Sequence, residues 1–201
     1  MKTIKDYIVT YKKVLPPEFC KKAIETYDSI GDNDPLKVDR KTRWMNFKEV
    51  NMLKHPEFSG LSQELAKYMQ QINHRYFEEV CHVVDQRLKC KERFTDYEAP
   101  RIKRYEPGEG VFHWHIDHID VTTSRRALVM FWYLNDVEEG GATAFDLGDG
   151  EEMRIHPQAG NVACFPPYFM FVHKGEIPIS HPKYVISSYV HLPQDYGIKC
   201  D

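Results

Sequence analysis

The sequence predicts a mainly β protein with N-terminal helices: a jelly roll, or double-stranded β-helix, braced by those helices. Three observations carry this reading. After Pro100, eight short β-like runs follow one another, separated by turn residues and with no helical stretch between them. Before Pro100, apolar residues recur at helical spacing in two segments. The length of 201 residues lets one domain bury about 70% of its unfolded surface, so no disulfide or metal is needed to hold the core. The expected organisation is a single domain over 1–201, with a helical support (1–98), a jelly-roll core (99–193) and a tail (194–201).

Taken in order, Tyr7–Tyr11 is strand-like, and Pro16-Pro17 offers the preset φ of a helix start. Phe19, Ala23, Ile24 and Tyr27 then keep helical spacing until Gly31-Asp32-Asn33-Asp34-Pro35 stops it. A second stripe runs through Leu61, Leu65, Met69, Ile72, Tyr76, Val80 and Val83. Between the two, Lys37 to Lys48 is polar and weakly periodic, and reads as a loop. The eight later runs are Ile102–Tyr105, Val111–Asp117, Arg126–Leu134, Ala142–Phe145, Glu152–His156, Asn161–Phe165, Phe169–Lys174 and Lys183–Leu192. Pro107-Gly108, Asn135-Asp136, Gly140-Gly141, Gly148-Asp149-Gly150 and Pro166-Pro167 punctuate them.

Composition removes several function classes. Twenty-seven Lys and Arg against 30 Asp and Glu give a net charge of −3, which argues against a generic phosphate-binding surface and hence against nucleic acid as a partner. No apolar run reaches the length of a membrane span, and Met1–Asp6 lacks the apolar stretch of a signal peptide, so a cytoplasmic setting is expected. The five cysteines are scattered without a CxxC pair, which disfavours a disulfide framework or a zinc knuckle. Neither a Gly-x-Ser-x-Gly elbow nor a Gly-x4-Gly-Lys-Ser/Thr loop occurs. The sequence sets no oligomeric state.

The chemistry concentrates in His113-Trp114-His115-Ile116-Asp117-His118-Ile119-Asp120. On a strand, residues two apart share a face, so His115 and Asp117 are expected to point together. They would offer one imidazole nitrogen and one carboxylate oxygen to a common metal. A third ligand must come from elsewhere, and His173, in a run 58 residues on, is the natural candidate. Two histidines and a carboxylate on one face of an octahedron leave three positions open, the arrangement of non-haem Fe(II) oxygenases. By itself a His-x-Asp recurs by chance, and most histidines are structural or surface residues. His118-Ile119-Asp120 repeats the motif on the opposite face, and His113 shares a face with His115. These two histidines read as rim residues.

Around this motif the chain resembles the Fe(II)- and 2-oxoglutarate-dependent dioxygenases, in their prolyl 4-hydroxylase-like branch of bacterial and phage type. The resemblance rests on Tyr105-x2-Gly108, Trp114-His115-Ile116-Asp117, Tyr133-Leu134-Asn135-Asp136-Val137-x2-Gly140-Gly141-x-Thr143-x-Phe145, Pro157-x2-Gly160, Phe165-Pro166, Val172-His173-x-Gly175 and Lys183–Tyr189. It covers about residues 101–192. It implies a jelly-roll hydroxylase that takes Fe(II) as cofactor, 2-oxoglutarate and O2 as co-substrates, and ascorbate as a reductant. The metal ligands would be His115, Asp117 and His173. Lys183 would pair with the far carboxylate of 2-oxoglutarate, with Arg126 or Lys174 as alternative cations, and the hydroxyls of Tyr105 and Thr143 would complete that carboxylate's hydrogen bonds. Succinate and CO2 would leave, and an organic substrate, a peptidyl proline or a small molecule, would gain a hydroxyl. A phage-encoded chain would act in the host cytoplasm. Two rivals share the barrel: a cupin-like metal enzyme without 2-oxoglutarate, which has no task for Lys183, and a non-catalytic binding module.

Overall fold

A computed structural model of the chain describes residues 2–82, 86–87 and 94–192. Strand β1 (Val9–Tyr11) leads to helix α1 (Pro17–Ser29), which starts at the Pro pair as expected. Strands β2 (Lys37–Asp39), β3 (Met45–Asn46) and β4 (Lys48–Asn51) follow, then helix α2 (Ser59–Glu79). Val83, at the end of the expected second stripe, and the tail 194–201 lie outside the described residues. The second half supplies β5 (Asp96–Tyr97), β6 (Arg101–Tyr105), β7 (Val111–His115), β8 (Arg126–Tyr133) and β9 (Thr143–Gly148). It ends with β10 (Glu151–Ile155), β11 (Val162–Phe165), β12 (His173–Gly175) and β13 (Lys183–His191). No helix among the described residues is long and apolar enough to cross a membrane.

The strands form two antiparallel sheets. The larger has the order β1-β11-β8-β13-β6-β4-β2, with β5 also on β13; the smaller has the order β10-β9-β12-β7-β3. The register Ser187↔Phe131 and Ile186↔Trp132 between β13 and β8 fixes which side chains share a face. Leu128, Met130, Trp132 and Ile186 face outward onto Phe19, Ala23 and Tyr27 of α1 and Leu65, Met69, Ile72 and Tyr76 of α2. Val129, Tyr133, Val185 and Tyr189 face inward and meet Phe145, Phe165 and Phe171 across the barrel. Both faces of β8 and β13 are therefore covered, which is why they read as long, nearly unbroken apolar runs.

One expectation is corrected. Lys37 to Lys48 is a strand-forming segment, not a loop: β2 pairs with β4, β4 with β6 and β3 with β7. These strands are two to four residues long and largely polar, so they carry no periodicity of their own. Their order comes from the edges of longer strands that they complete. The segment thereby walls the mouth of the barrel on both sheets.

Candidate metal centre

Strands β7 and β12 are antiparallel neighbours with His115 opposite His173, a register that brings two imidazoles together at one end of the smaller sheet. Their ring centroids lie 4.2 Å apart. Strand β7 ends at His115, and Asp117 sits just beyond it, so simple two-residue alternation is not what joins this pair. A register shift between His173 and Gly175 puts Phe112 against His115, with the rings stacked at 3.6 Å. The same irregularity leaves His113 exposed although it is two residues from His115.

The donor atoms converge. One ligand atom each from His115, Asp117 and His173 lies within 4.8 Å of the others. His173 Nε2 is 3.4 Å from Asp117 Oδ2, and His115 Nε2 is 3.9 Å from Asp117 Oδ1. His115 Nδ1 donates to the carbonyl of His113 at 2.7 Å, and His173 Nδ1 to that of Phe171 at 2.9 Å. A carbonyl only accepts, so the proton sits on Nδ1 and each Nε2 lone pair is turned toward the centre. Both Nε2 atoms and Asp117 Oδ2 are buried and have no hydrogen-bond partner. Three buried acceptors without a donor are costly unless a cation joins them, and the N2O set suits Fe(II).

The electrostatics agree. Burial, and next the neighbouring His173, push His115 down to about 3, so the ring is neutral as ligation requires. Burial opposes the ionisation of Asp117, but His173, His115 and Arg126 outweigh it and hold the carboxyl below the usual carboxylate range. Tyr189 donates its hydroxyl to Asp117 Oδ1 at 3.2 Å, and Arg126 donates to the Asp117 carbonyl at 3.0 Å. The Arg126 guanidinium also lies 3.7 Å above the Tyr189 ring. Sequence reading missed Tyr189 and gave Arg126 a different task; nothing in their spacing marks them as supports of the carboxylate.

Behind the triad an enclosed cavity of about 30 Å³ reaches Lys183, Tyr105 and Thr143. Lys183 is 2% exposed; its Nζ donates to the Gly141 carbonyl at 2.8 Å and lies 4.7 Å from the Tyr105 ring centroid. Desolvation lowers this ammonium to about 7, so a carboxylate arriving beside it restores the charged form. Gly140 makes the turn that presents the Gly141 carbonyl: its φ is +71°, and a Cβ there would stand 2.3 Å from the Ile177 oxygen. Thr143 Oγ1 accepts from Tyr133 at 2.8 Å and so keeps its own proton to donate. Strand register predicts this grouping, since Lys183 lies opposite Tyr105 on β6.

The other candidates lie elsewhere. Lys174 sits 4.4 Å from the Trp114 ring centroid and close to Glu152 and Glu176. Asp120, of the second His-x-Asp, accepts from the backbone and hydroxyl of Thr123 in a tight turn. His118 packs 5.5 Å from Tyr168. One buried lysine in the barrel, Lys103, was read only as part of a strand.

Comparison with known proteins places the barrel segment beside a known superfamily. Residues 100–191 match the model of the 2OG-Fe(II) oxygenase superfamily. No curated protein matches the chain. Among solved structures it is similar to a Pseudomonas putida prolyl-4-hydroxylase, at 16% identity over 92% of both chains with a TM-score of 0.68. A prolyl hydroxylase from Trichoplax adhaerens, solved with a hypoxia inducible factor oxygen degradation domain peptide fragment, matches at 12% identity over 92% of this chain and 84% of that one, TM-score 0.70. The viral collagen prolyl hydroxylase of Paramecium Bursaria Chlorella virus-1, solved as its 2OG complex, matches at 17% over 92% and 96%, TM-score 0.60. These likenesses establish the fold, and the matched segment spans β6 to β13 with the whole triad. Residues 100–191, which hold the whole His115–Asp117–His173 cluster, are thus similar to the 2OG-Fe(II) oxygenase superfamily, and that cluster's two imidazoles and one carboxylate suit the Fe(II) such enzymes use.

Proposed function

We propose that His115, Asp117 and His173 hold the Fe(II), that Lys183 binds the far carboxylate of 2-oxoglutarate, and that the hydroxylated carbon belongs to a prolyl residue in a peptide. The observation that carries this reading is the cluster of buried donor atoms without partners, set across a cavity from a buried ammonium that has a single backbone acceptor. Bound Fe(II) supplies the position at which 2-oxoglutarate and O2 react to give succinate, CO2 and one oxygen atom for the substrate C–H.

The chain's own residues do the rest. His113 and Phe171 carbonyls fix the two imidazoles as neutral Nε2 donors. Tyr189 holds the Asp117 carboxylate, and Arg126 holds the backbone carbonyl of the same residue. Lys183 neutralises a desolvated carboxylate, which costs far more to bury unpaired. The Thr143 hydroxyl, bonded by Tyr133, and the Tyr105 hydroxyl add donors beside it. Phe112 and Phe131 line the same cavity and exclude water from it. The N-terminal part, in this reading, supports the barrel, the setting is cytoplasmic, and ascorbate serves to keep the metal reduced.

The prolyl peptide reading is supported by the hydroxylases of the same fold. A cupin-like enzyme would leave Lys183 without a purpose, and a binding module would have no use for three unpaired ligand atoms. The test is an aerobic assay with Fe(II), ascorbate and 2-oxoglutarate against prolyl peptides. Succinate release with a product heavier by one oxygen is expected. Succinate release stimulated by non-prolyl compounds alone would remove the prolyl assignment and leave the oxygenase.

A further inference from the structure

The triad opens outward into a groove of about 570 Å³ whose floor is charged. Most of that charge is already paired. Arg40 reaches Glu49 at 2.8 Å. Arg101 and Arg126 both reach Glu98, at 2.6 and 2.7 Å. One carboxylate thus serves two guanidinium groups. Lys103 is the remaining cation. It is 8% exposed and makes no hydrogen bond or ion pair among the described residues; its Nζ lies 4.9 Å from the Phe47 ring centroid and 6.0 Å from that of Phe112. Its cross-strand neighbour on β4 is Glu49, which Arg40 has taken.

Strand register explains why so hydrophilic a side chain points inward. Lys103 lies opposite Val185, between Lys183 opposite Tyr105 and Ser187 opposite Arg101. All of these share the inner face of the barrel. Lys103 lines both the enclosed cavity and the open groove, where His115, Ser187 and Tyr189 are also common to the two. It stands between the co-substrate end, already served by Lys183, and the mouth through which the substrate arrives.

A buried ammonium in direct contact with no carboxylate is unfavourable, and here burial lowers its affinity for the proton more than Glu49 and Asp117, acting at a distance, raise it. Such a group is stabilised when an anion arrives beside it. With the 2-oxoglutarate carboxylates assigned to the metal and to Lys183, and Arg126 shared between Glu98 and Asp117, the unpaired positive charge of Lys103 faces the substrate. We propose that the substrate carries a carboxylate near the reacting carbon and that Lys103 receives it. This names the substrate class of the oxygenase site and rests on the reading of that site given above. The carboxylate is either the free α-carboxylate of the substrate or an acidic side chain next to the prolyl residue.

The test uses the Mn(II)-loaded protein saturated with 2-oxoglutarate, without oxygen, and reads binding by calorimetry. N-acetyl-proline is titrated against N-acetyl-prolinamide, and capped Asp-Pro against capped Asn-Pro. At least one acid is expected to bind about 30-fold more tightly than its neutral partner, as for a desolvated charge pair. The pair that shows the preference identifies the source of the carboxylate. Lys103→Met, which keeps the apolar stem, should abolish the preference, and Lys103→Arg should restore part of it. Equal or undetectable binding of acid and neutral forms, or a preference that survives Lys103→Met, overturns the proposal. So does weaker 2-oxoglutarate binding in Lys103→Met, which would assign the ammonium to the co-substrate. Failure of the wild-type Mn(II) protein to bind 2-oxoglutarate would instead overturn the proposed site itself.

Discussion

Strands β13 and β7 do opposite things with the same architecture. Strand β13 is paired with β6 and then β5 along one side and with β8 along the other, and eight of its nine residues are buried. It carries Lys183 at one end and Tyr189 near the other. Strand β7 has only half-buried and exposed residues, carries a register shift, and ends at His115, a proposed ligand. The proposed co-substrate anchor, Lys183, is thus set in a strand buried along nearly its whole length. Two of the three proposed metal ligands sit at or beyond the end of one of the least covered strands. The site needs both: a fixed charge deep inside, and a margin open enough for substrate to reach the metal.

The comparison can be broken most sharply at the margin. Asp117→Ala should weaken Fe(II) binding by more than about 100-fold, beyond the usual cost of losing an outer support, as measured by anaerobic metal analysis. The barrel should still fold, since Asp117 lies outside the strands. At the constrained end, Lys183→Ala should leave Fe(II) bound but raise the 2-oxoglutarate requirement about 30-fold or more, from the ~2–5 kcal/mol lost when a buried carboxylate loses its partner. Unchanged affinity would mean that another cation holds that carboxylate.

Stability should divide along the same line. Ile186 on β13 is fully buried, so Ile186→Ala should cost about 2–5 kcal/mol in chemical denaturation. Val111→Ala on β7 should stay within about 1 kcal/mol, because Val111 is half-buried. Similar losses at the two positions would erase the contrast. Smaller still, Tyr189→Phe removes one hydrogen bond to Asp117 Oδ1 and should weaken Fe(II) binding by about 10-fold while the fold and the 2-oxoglutarate site persist.

The same contrast decides what was legible in the sequence. β8 and β13 stand out because burial on both faces demands long apolar runs, and turn residues bracket them. The segment from Lys37 to Asn51 hid its strands because two to four polar residues have no measurable period. His115 and Asp117 are expected together from two-residue alternation on a strand over 111–117, but the strand ends at His115, so the pair meets through the path of the chain just beyond β7. Lys103 was invisible for a different reason. A lysine on a strand is normally solvent-facing, and only the pairing with β13 shows that its face is the inner one. Tyr189 and Arg126 gained their roles from the closure of the barrel, which no local pattern encodes.

The ligand register decides which histidine holds the metal, and one paired measurement reads it directly. His115→Ala and His118→Ala are compared for bound Fe(II) and for succinate formed from 2-oxoglutarate. The structure turns the His115 Nε2 into the centre and packs His118 near Tyr168 instead. His115→Ala is therefore expected to lose both iron and turnover, with His118→Ala keeping its iron. Iron retained without His115, or lost without His118, would contradict the triad and move the metal centre to the other face of the chain.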